Sequence, residues 1–198
     1  MTDAPLPAPP FDAAARVVAF ATAGAFQAAQ DLVGRAVAGL QDVADAGSPP
    51  DVPLVAEETL ALVAVATARA ASVGLRAHPE AARATTGALL ALPDLYRDYF
   101  AGLAILTDPD VGANVAAHAE RDTSRTDRKR AFYDAHLPDG QFPTEATLAS
   151  VLPLWMGRIS GPGLPEPPDA RLARLALAPA LTAHLKLVVA FARKTMAA

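Results

Sequence analysis

The feature that most constrains the fold is the placement of proline, which recurs at positions typical of helix starts. A proline in the first turn of a helix costs little, because the backbone N–H that it lacks would have no partner there. The prolines that follow this pattern, several with an acidic neighbour, are Pro53, Pro79, Pro93, Pro109 and Pro168. No stretch alternates β-branched and polar residues as a strand would. The sequence therefore predicts an all-α protein without β-sheet.

Hydrophobic periodicity between these starts predicts a multi-helix bundle of about eight helices. The second helix is apolar nearly all round, which places it at the centre of the bundle. A break is expected in the fifth helix near Asp122–Thr126, and Pro153 is expected to kink or restart the sixth. The predicted helices cover residues 11–45, 53–73, 79–92, 94–107, 109–136, 144–158, 169–177 and 179–196.

The ends of the chain and its linkers show a simple domain organisation. Residues 1–10 hold four prolines among small residues and are predicted to be a disordered tail. Residues 11–198 have a suitable length for a single α-helical domain. Within it, residues 160–168 hold four prolines and two glycines, and such a Pro/Gly linker before the last two helices should be stiff and extended. The 48 alanines of the chain favour helices that pack closely.

Composition excludes several classes of protein. The chain has no cysteine, which rules out disulfides and thiolate metal sites. Its longest uncharged stretch, residues 17–30, has 14 residues, whereas a membrane-spanning helix needs about 20 apolar residues. The start of the chain is acidic and proline-rich rather than basic and then apolar. We therefore predict no secretory signal and no transmembrane segment, and we expect a cytoplasmic location.

The net charge of −4 is unevenly distributed along the chain. Residues 1–68 carry two basic and eight acidic side chains, whereas residues 121–198 carry eleven basic and seven acidic ones. A uniform nucleic-acid binder would be basic overall, so we expect no nucleic-acid partner. The opposite charge of the two ends could orient a protein partner or a self-association.

Histidine and carboxylate spacings do not indicate a metal centre. Metal sites in helical bundles bring ligands together at i, i+3 or i+4, and none of the four histidines has a glutamate three residues before it. We therefore expect no metal and no cofactor. Asp94 and Asp98 have a DxxxD spacing that resembles the magnesium-binding motif of helical prenyl-transferring enzymes, but we interpret them as capping residues at a helix start. His184 and Trp155 are predicted to be core residues, His184 with one hydrogen bond.

The segment that stands out is the charged part of the fifth predicted helix, residues 118–136. It holds nine charged residues and two histidines in a chain that is 19% charged. Helical spacing predicts a row of polar side chains that could bind an anionic ligand or an acidic partner. The candidate residues are Asn114, His118, Arg121, Asp122, Arg125, Tyr133 and His136. The alternative is a solvated helix with surface ion pairs.

These observations support three hypotheses about function. The first is a non-enzymatic helical interaction or scaffold protein that acts through protein–protein association, as a homo-oligomer or with a protein partner. The second is a small-ligand-binding protein or an enzyme with a polar site on the 109–136 helix. The third is a lipid- or granule-surface protein, because the first helix resembles the amphipathic helices of phasin-type proteins. That resemblance implies binding through this helix, although the helix has too few lysines for a protein that binds an anionic membrane.

Overall fold

The computed structural model describes residues 10–41, 51–107, 115–159 and 176–197, with the backbone alone for residues 10–12, 100–101, 103–107 and 115–124. The predicted tail up to residue 9, the 160–168 linker and most of the predicted helix 169–177 lie outside these ranges. The described residues form six helices and no strand, which confirms the all-α class but not the expected count of about eight. The helices are α1 (Pro10–Gln41), α2 (Val52–Gly74), α3 (Pro79–Thr107), α4 (Val115–His136), α5 (Glu145–Ile159) and α6 (Leu177–Met196).

Helix α2 lies at the centre and contacts each of the other five described helices. Its start is fixed by Asp51, whose side chain accepts a hydrogen bond of 3.0 Å from the backbone N–H of Leu54, and by Pro53 in the first turn. Residues 58–68 are all buried, on every side of the helix. The prediction of a central helix from its all-round apolar pattern is therefore confirmed.

Helix α3 is one continuous helix, so the expected separation into helices 79–92 and 94–107 is wrong. Pro93 lies inside it and cannot donate the backbone hydrogen bond of a helix interior. The carbonyl oxygen that loses its donor is that of Leu89, four residues earlier. The next carbonyl, that of Leu90, accepts a hydrogen bond of 2.6 Å from the guanidinium of Arg130 on α4. A tertiary contact thus supports the turn that the proline disturbs, and Asp94 lies inside the helix and not at its start.

Helix α4 runs without the break that the sequence predicts near residues 122–126. Thr126, Lys129 and Tyr133, which follow each other at helical spacing, are all buried. This repeated contact with α2 and α3 holds the second half of the helix in one register. In the same way, Pro153 lies inside α5 and does not restart it.

Helix α1 has the two faces that its sequence pattern predicts. Gln27, Asp31 and Arg35 are exposed, whereas Ala25 and Leu32 are buried against the core. The buried face consists largely of alanine, so neighbouring helices can approach closely.

Helix α6 packs against α1, α2 and α5. Phe20 of α1 stacks on Phe191 of α6 with a centroid distance of 3.9 Å. At the end of α2, a side chain at Gly74 would bring its Cβ within 3.2 Å of the Val189 Cα, so the absence of a side chain permits this approach. None of the helices in the described ranges is both long and apolar enough to cross a membrane.

Candidate functional site

The structure places the candidate residues of the charged helix in different environments. Tyr133 is fully buried, whereas Arg125 and His136 are exposed. The Nδ1 atom of His136 lies 2.7 Å from the carbonyl oxygen of Phe132, one turn earlier. The described members therefore do not form one solvent-facing row, because Tyr133 faces the core. Residue Asn114 and the side chains of His118, Arg121 and Asp122 lie outside the described residues, so ligand binding by this set stays a prediction.

A buried carboxylate organises the inner face of α4. Glu58 of α2 is 2% exposed and accepts a hydrogen bond of 2.8 Å from the Tyr133 hydroxyl. The guanidinium of Arg158 on α5 donates to both carboxylate oxygens, at 2.8 and 2.9 Å, and the Lys129 ammonium lies 3.8 Å away. Moving a charge out of water costs several kcal/mol unless partners of this kind replace the water. One side chain thus joins α2, α4 and α5.

The environment of Glu58 also determines the protonation of its partners. Burial, and then the charge of Glu58 and the hydrogen bond to it, raise the pKa of Tyr133 far above its usual value of 10.0. The hydrogen bond to Glu58 raises the pKa of Arg158, against the opposing effect of burial. Arg158 also lies over the ring of Phe132, at 4.4 Å from its centroid. Around neutral pH, Tyr133 is therefore a neutral phenol and Arg158 a charged guanidinium, and both donate hydrogen bonds to Glu58.

Glu58, Tyr133, Arg158 and Lys129 form the centre of a polar cluster, and outer ion pairs extend this polar cluster towards the surface. The Lys129 ammonium contacts Glu57 at 2.5 Å, and the Arg125 guanidinium lies 3.7 Å from the same carboxylate. Arg130 contacts Asp94 at 2.9 Å. A small cavity of about 10 Å³ lies beside Glu57, Arg125 and Lys129, which is room for a single water molecule. These ion pairs connect α4 to α2 and to α3.

Sequence reasoning missed Glu58, although a signal was present. Glu57 and Glu58 are the only carboxylates within residues 53–73, a stretch that is otherwise almost entirely apolar. Glutamate is seldom buried without a charged or hydrogen-bonding partner. An adjacent pair on a helix predicted to be central therefore indicates basic partners on the helices packed against it.

An open groove with a volume of about 800 Å³ lies between α1, α2 and α3; we call it the α1–α3 groove. Small residues contribute to its lining, namely Ala29 and Gly34 of α1 and Ala56 of α2. Leu95 and Tyr99 of α3 also line it and are 60% and 63% exposed. The groove is thus mainly apolar, with small residues along two helices and large exposed side chains along the third.

Two residues separate the groove from the polar cluster. Leu60 and Tyr96 line both the groove and the small cavity beside Glu57. Burial, and to a lesser degree the charge of Glu57, raise the pKa of Tyr96. The ion pairs of the polar cluster therefore lie directly behind one wall of the groove, on the side of α4.

The prediction of a core position is confirmed for Trp155, whereas His184 is only half-buried, with one hydrogen-bond partner as predicted. The Nε2 atom of His184 lies 3.2 Å from the Thr67 hydroxyl, and burial lowers the pKa of this histidine. Trp155 is fully buried. Neither residue contributes to the groove.

Among the described residues, the groove and the polar cluster are the features that bear most directly on function. No protein-family model, no curated protein and no solved structure matches this chain.

Proposed function

We propose that the protein acts through protein–protein association, as a non-enzymatic helical interaction protein that self-associates through the α1–α3 groove. The observation that carries this proposal is the exposure of Leu95 and Tyr99 beside the apolar groove, at 60% and 63%. Single exposed apolar side chains are common on soluble proteins. A contiguous apolar depression bordered by several of them is typical of a surface that binds another protein.

The shape of the groove suits a helix as its occupant. An amphipathic helix binds such a surface through apolar side chains at i, i+3, i+4 and i+7, which insert between the helices that border the groove. Ala29, Gly34 and Ala56 leave room for a close backbone approach. A Cβ added to Gly34 would meet no atom within 4 Å, so the space beside it is open.

The polar cluster supports the proposal because it holds the wall of the groove in place. Arg130 contacts the carboxylate of Asp94 at 2.9 Å, directly before Leu95 in the chain, and donates to the carbonyl of Leu90. Arg97 contacts Asp94 and Asp98 from within the same helix. A surface that is rigid before binding loses less conformational entropy when a partner docks.

The other two hypotheses have less support from the described residues. The second hypothesis places a polar site on the 109–136 helix, where the cavity beside Glu57 and Arg125 holds about 10 Å³, far below the several hundred Å³ of an organic ligand site. The α1–α3 groove is large enough for such a ligand, but apolar residues of α1, α2 and α3 line it, not polar residues of that helix. A lipid-surface function would use the apolar stripe of α1, but Ala21, Ala25 and Leu32 of that stripe pack in the core.

Light scattering at micromolar concentration tests the proposal. The wild-type chain should have a mass above 20.4 kDa that rises with concentration, and Leu95→Asp should return it to a monomer. The control is Leu154→Asp, because Leu154 of α5 is also exposed (41%) but does not line the groove. Circular dichroism checks that each variant keeps its helices. A wild type that stays monomeric at high concentration, or an effect of Leu154→Asp equal to that of Leu95→Asp, contradicts the proposal.

A further inference from the structure

An open pocket with a volume of about 360 Å³ lies where α2 and α6 end and α3 begins; we call it the α2–α6 pocket. That volume is within the range of sites for small organic molecules. None of its described lining residues belongs to α1 or α4, so it is distinct from the α1–α3 groove and from the charged helix. Among those lining residues, the titratable side chains are Arg76, His78 and Arg193, and there is no carboxylate.

Close packing of α2 against α6 brings the two arginines to the same place. A Cβ added to Gly74 would lie 3.3 Å from the Ala192 Cβ. Arg193 directly follows Ala192, and Arg76 follows Gly74 by two residues. Ala192 and Leu75 belong to one small buried cluster. The backbone that carries both arginines is therefore held in place by the core.

The two arginines have no acidic partner within the described part of the chain. Both side chains are exposed, and no ion pair between described residues involves Arg76 or Arg193. The Arg76 guanidinium donates one hydrogen bond of 3.2 Å to the carbonyl oxygen of Gly140, which orients it and leaves most of its five N–H donors available. By contrast, Arg69, earlier in α2, contacts two carboxylates.

The charges around the pocket are mainly positive. Residues 73–83 and 193–197 contain four lysines and arginines and one acid, Glu80. Glu80 is exposed and does not line the pocket. Asp139, beside the residue that accepts from Arg76, is paired with Arg69. An anion at the pocket would therefore meet an excess of positive charge.

A second role of these bases has to be separated from ligand binding. Basic side chains near the end of a helix offset the negative end of its dipole, which requires no ligand. Arg193 and Lys194 both lie in the last turn of α6, but only Arg193 is among the residues that line the pocket. The two neighbours thus share the dipole role and differ in the binding role.

We propose that the α2–α6 pocket binds the phosphate group of a small phosphate monoester. Such a group carries about −1.5 to −2 charges and three acceptor oxygens. It can therefore accept hydrogen bonds from both guanidinium groups and from the imidazole of His78. A carboxylate, with two oxygens, matches a single guanidinium. Val73 and Met196 also line the pocket and provide an apolar wall for the organic part of the ester.

An NMR titration of the isotope-labelled full chain with phenyl phosphate, at constant ionic strength, tests this inference. The amide signals of residues 73–78 and 193–197 should shift and saturate. Inorganic phosphate and benzoate should bind more weakly, because the first lacks the apolar group and the second lacks the third oxygen. Arg193→Gln should weaken the binding of phenyl phosphate by about tenfold or more, and so should Arg76→Gln. Lys194→Gln is the matched control and should change the affinity little.

Several results would overturn the inference. One is the absence of a saturable shift with phenyl phosphate at millimolar concentration. Another is equal weakening by Lys194→Gln and Arg193→Gln, since exposed charge alone would then account for the binding. If inorganic phosphate or benzoate binds as tightly as phenyl phosphate, the assignment to a monoester is wrong. Circular dichroism checks that the variants keep their helices. Leu95→Asp should bind phenyl phosphate like the wild type, which separates this test from that of self-association.

Discussion

Replacement of Glu58 by glutamine is the most direct test of the polar cluster. The substitution keeps the size of the side chain and removes its negative charge. Tyr133 and Arg158 now donate to this carboxylate, and Lys129 lies 3.8 Å from it. In Glu58→Gln the amide oxygen can still accept a hydrogen bond. The amide nitrogen, however, is a donor and takes the place of an oxygen that accepts from a donor in the wild type.

The expected cost can be estimated from these contacts. Loss of one partner from a buried ion pair costs about 3–5 kcal/mol, mostly because the other charge stays buried. The side chain of Lys129 is 5% exposed, but that of Arg158 is 33% exposed and can still be hydrated. We therefore expect the lower end of the range, about 3 kcal/mol. For a chain of this length, that corresponds to a decrease of roughly 6–12 °C in Tm.

Urea unfolding followed by circular dichroism measures this loss. Glu80→Gln is the matched control, because Glu80 is exposed in the first turn of α3 and its charge contributes at most about 1 kcal/mol. A Glu58→Gln variant no less stable than this control would refute the reasoning. A double-mutant cycle with Tyr133→Phe adds a second check, because groups in contact should show a coupling energy of about 0.5–3 kcal/mol. Additive effects would mean that the hydroxyl and the carboxylate do not interact.

Two further predictions concern other parts of the fold. Burial lowers the pKa of His184 below its usual 6.5, so the contribution of the neutral imidazole to stability is present above that pH and is lost as the pH falls below it. His184→Gln should therefore lose less stability than the wild type between about pH 6.5 and pH 5.5. Urea midpoints that decrease equally in both proteins over this range would contradict the prediction. Gly74→Ala should destabilise the protein by about 1–3 kcal/mol, because its Cβ would lie 3.2 Å from the backbone of α6. Gly87→Ala should instead stabilise it by roughly 0.5–1 kcal/mol, because its Cβ would meet no atom within 4 Å. Thermal unfolding of both glycine variants distinguishes these effects, and a stabilised Gly74→Ala would show that α2 and α6 are not closely packed.

The sequence predicted those features that depend on local pattern. The central position of α2 follows from a run of apolar residues, and the exposed stripe of α1 follows from polar residues at helical spacing. The continuity of α3 could not be predicted in this way. Local rules end a helix before Pro93, and they contain no information about Arg130, which comes 37 positions later and supplies a donor to Leu90.

The candidate site was harder to predict for a similar reason. The charged residues of α4 suggest a solvent-facing surface, and a periodic pattern alone does not show which of them meet an opposite charge on another helix. Tyr133 and Lys129 are buried because Glu57 and Glu58 lie opposite them. The groove depends on how three helices pack, which local pattern does not reveal. In the sequence, Leu95 and Tyr99 resemble residues of a buried helix face, although both are exposed beside the groove.

The contacts of Glu58 also set an order in which the chain can assemble. Tyr133 is 75 positions and Arg158 is 100 positions away from it along the chain, whereas α1, α2 and α3 are consecutive helices that contact one another. Contacts between near neighbours require less loop-closure entropy and tend to form earlier in folding. The first three helices can therefore associate before α4 and α5 close over the carboxylate. A side chain whose contacts form after the folding barrier acts mainly on the rate of unfolding, so we expect Glu58→Gln to raise the unfolding rate more than it lowers the folding rate, and thus to shorten the time for which the folded chain persists.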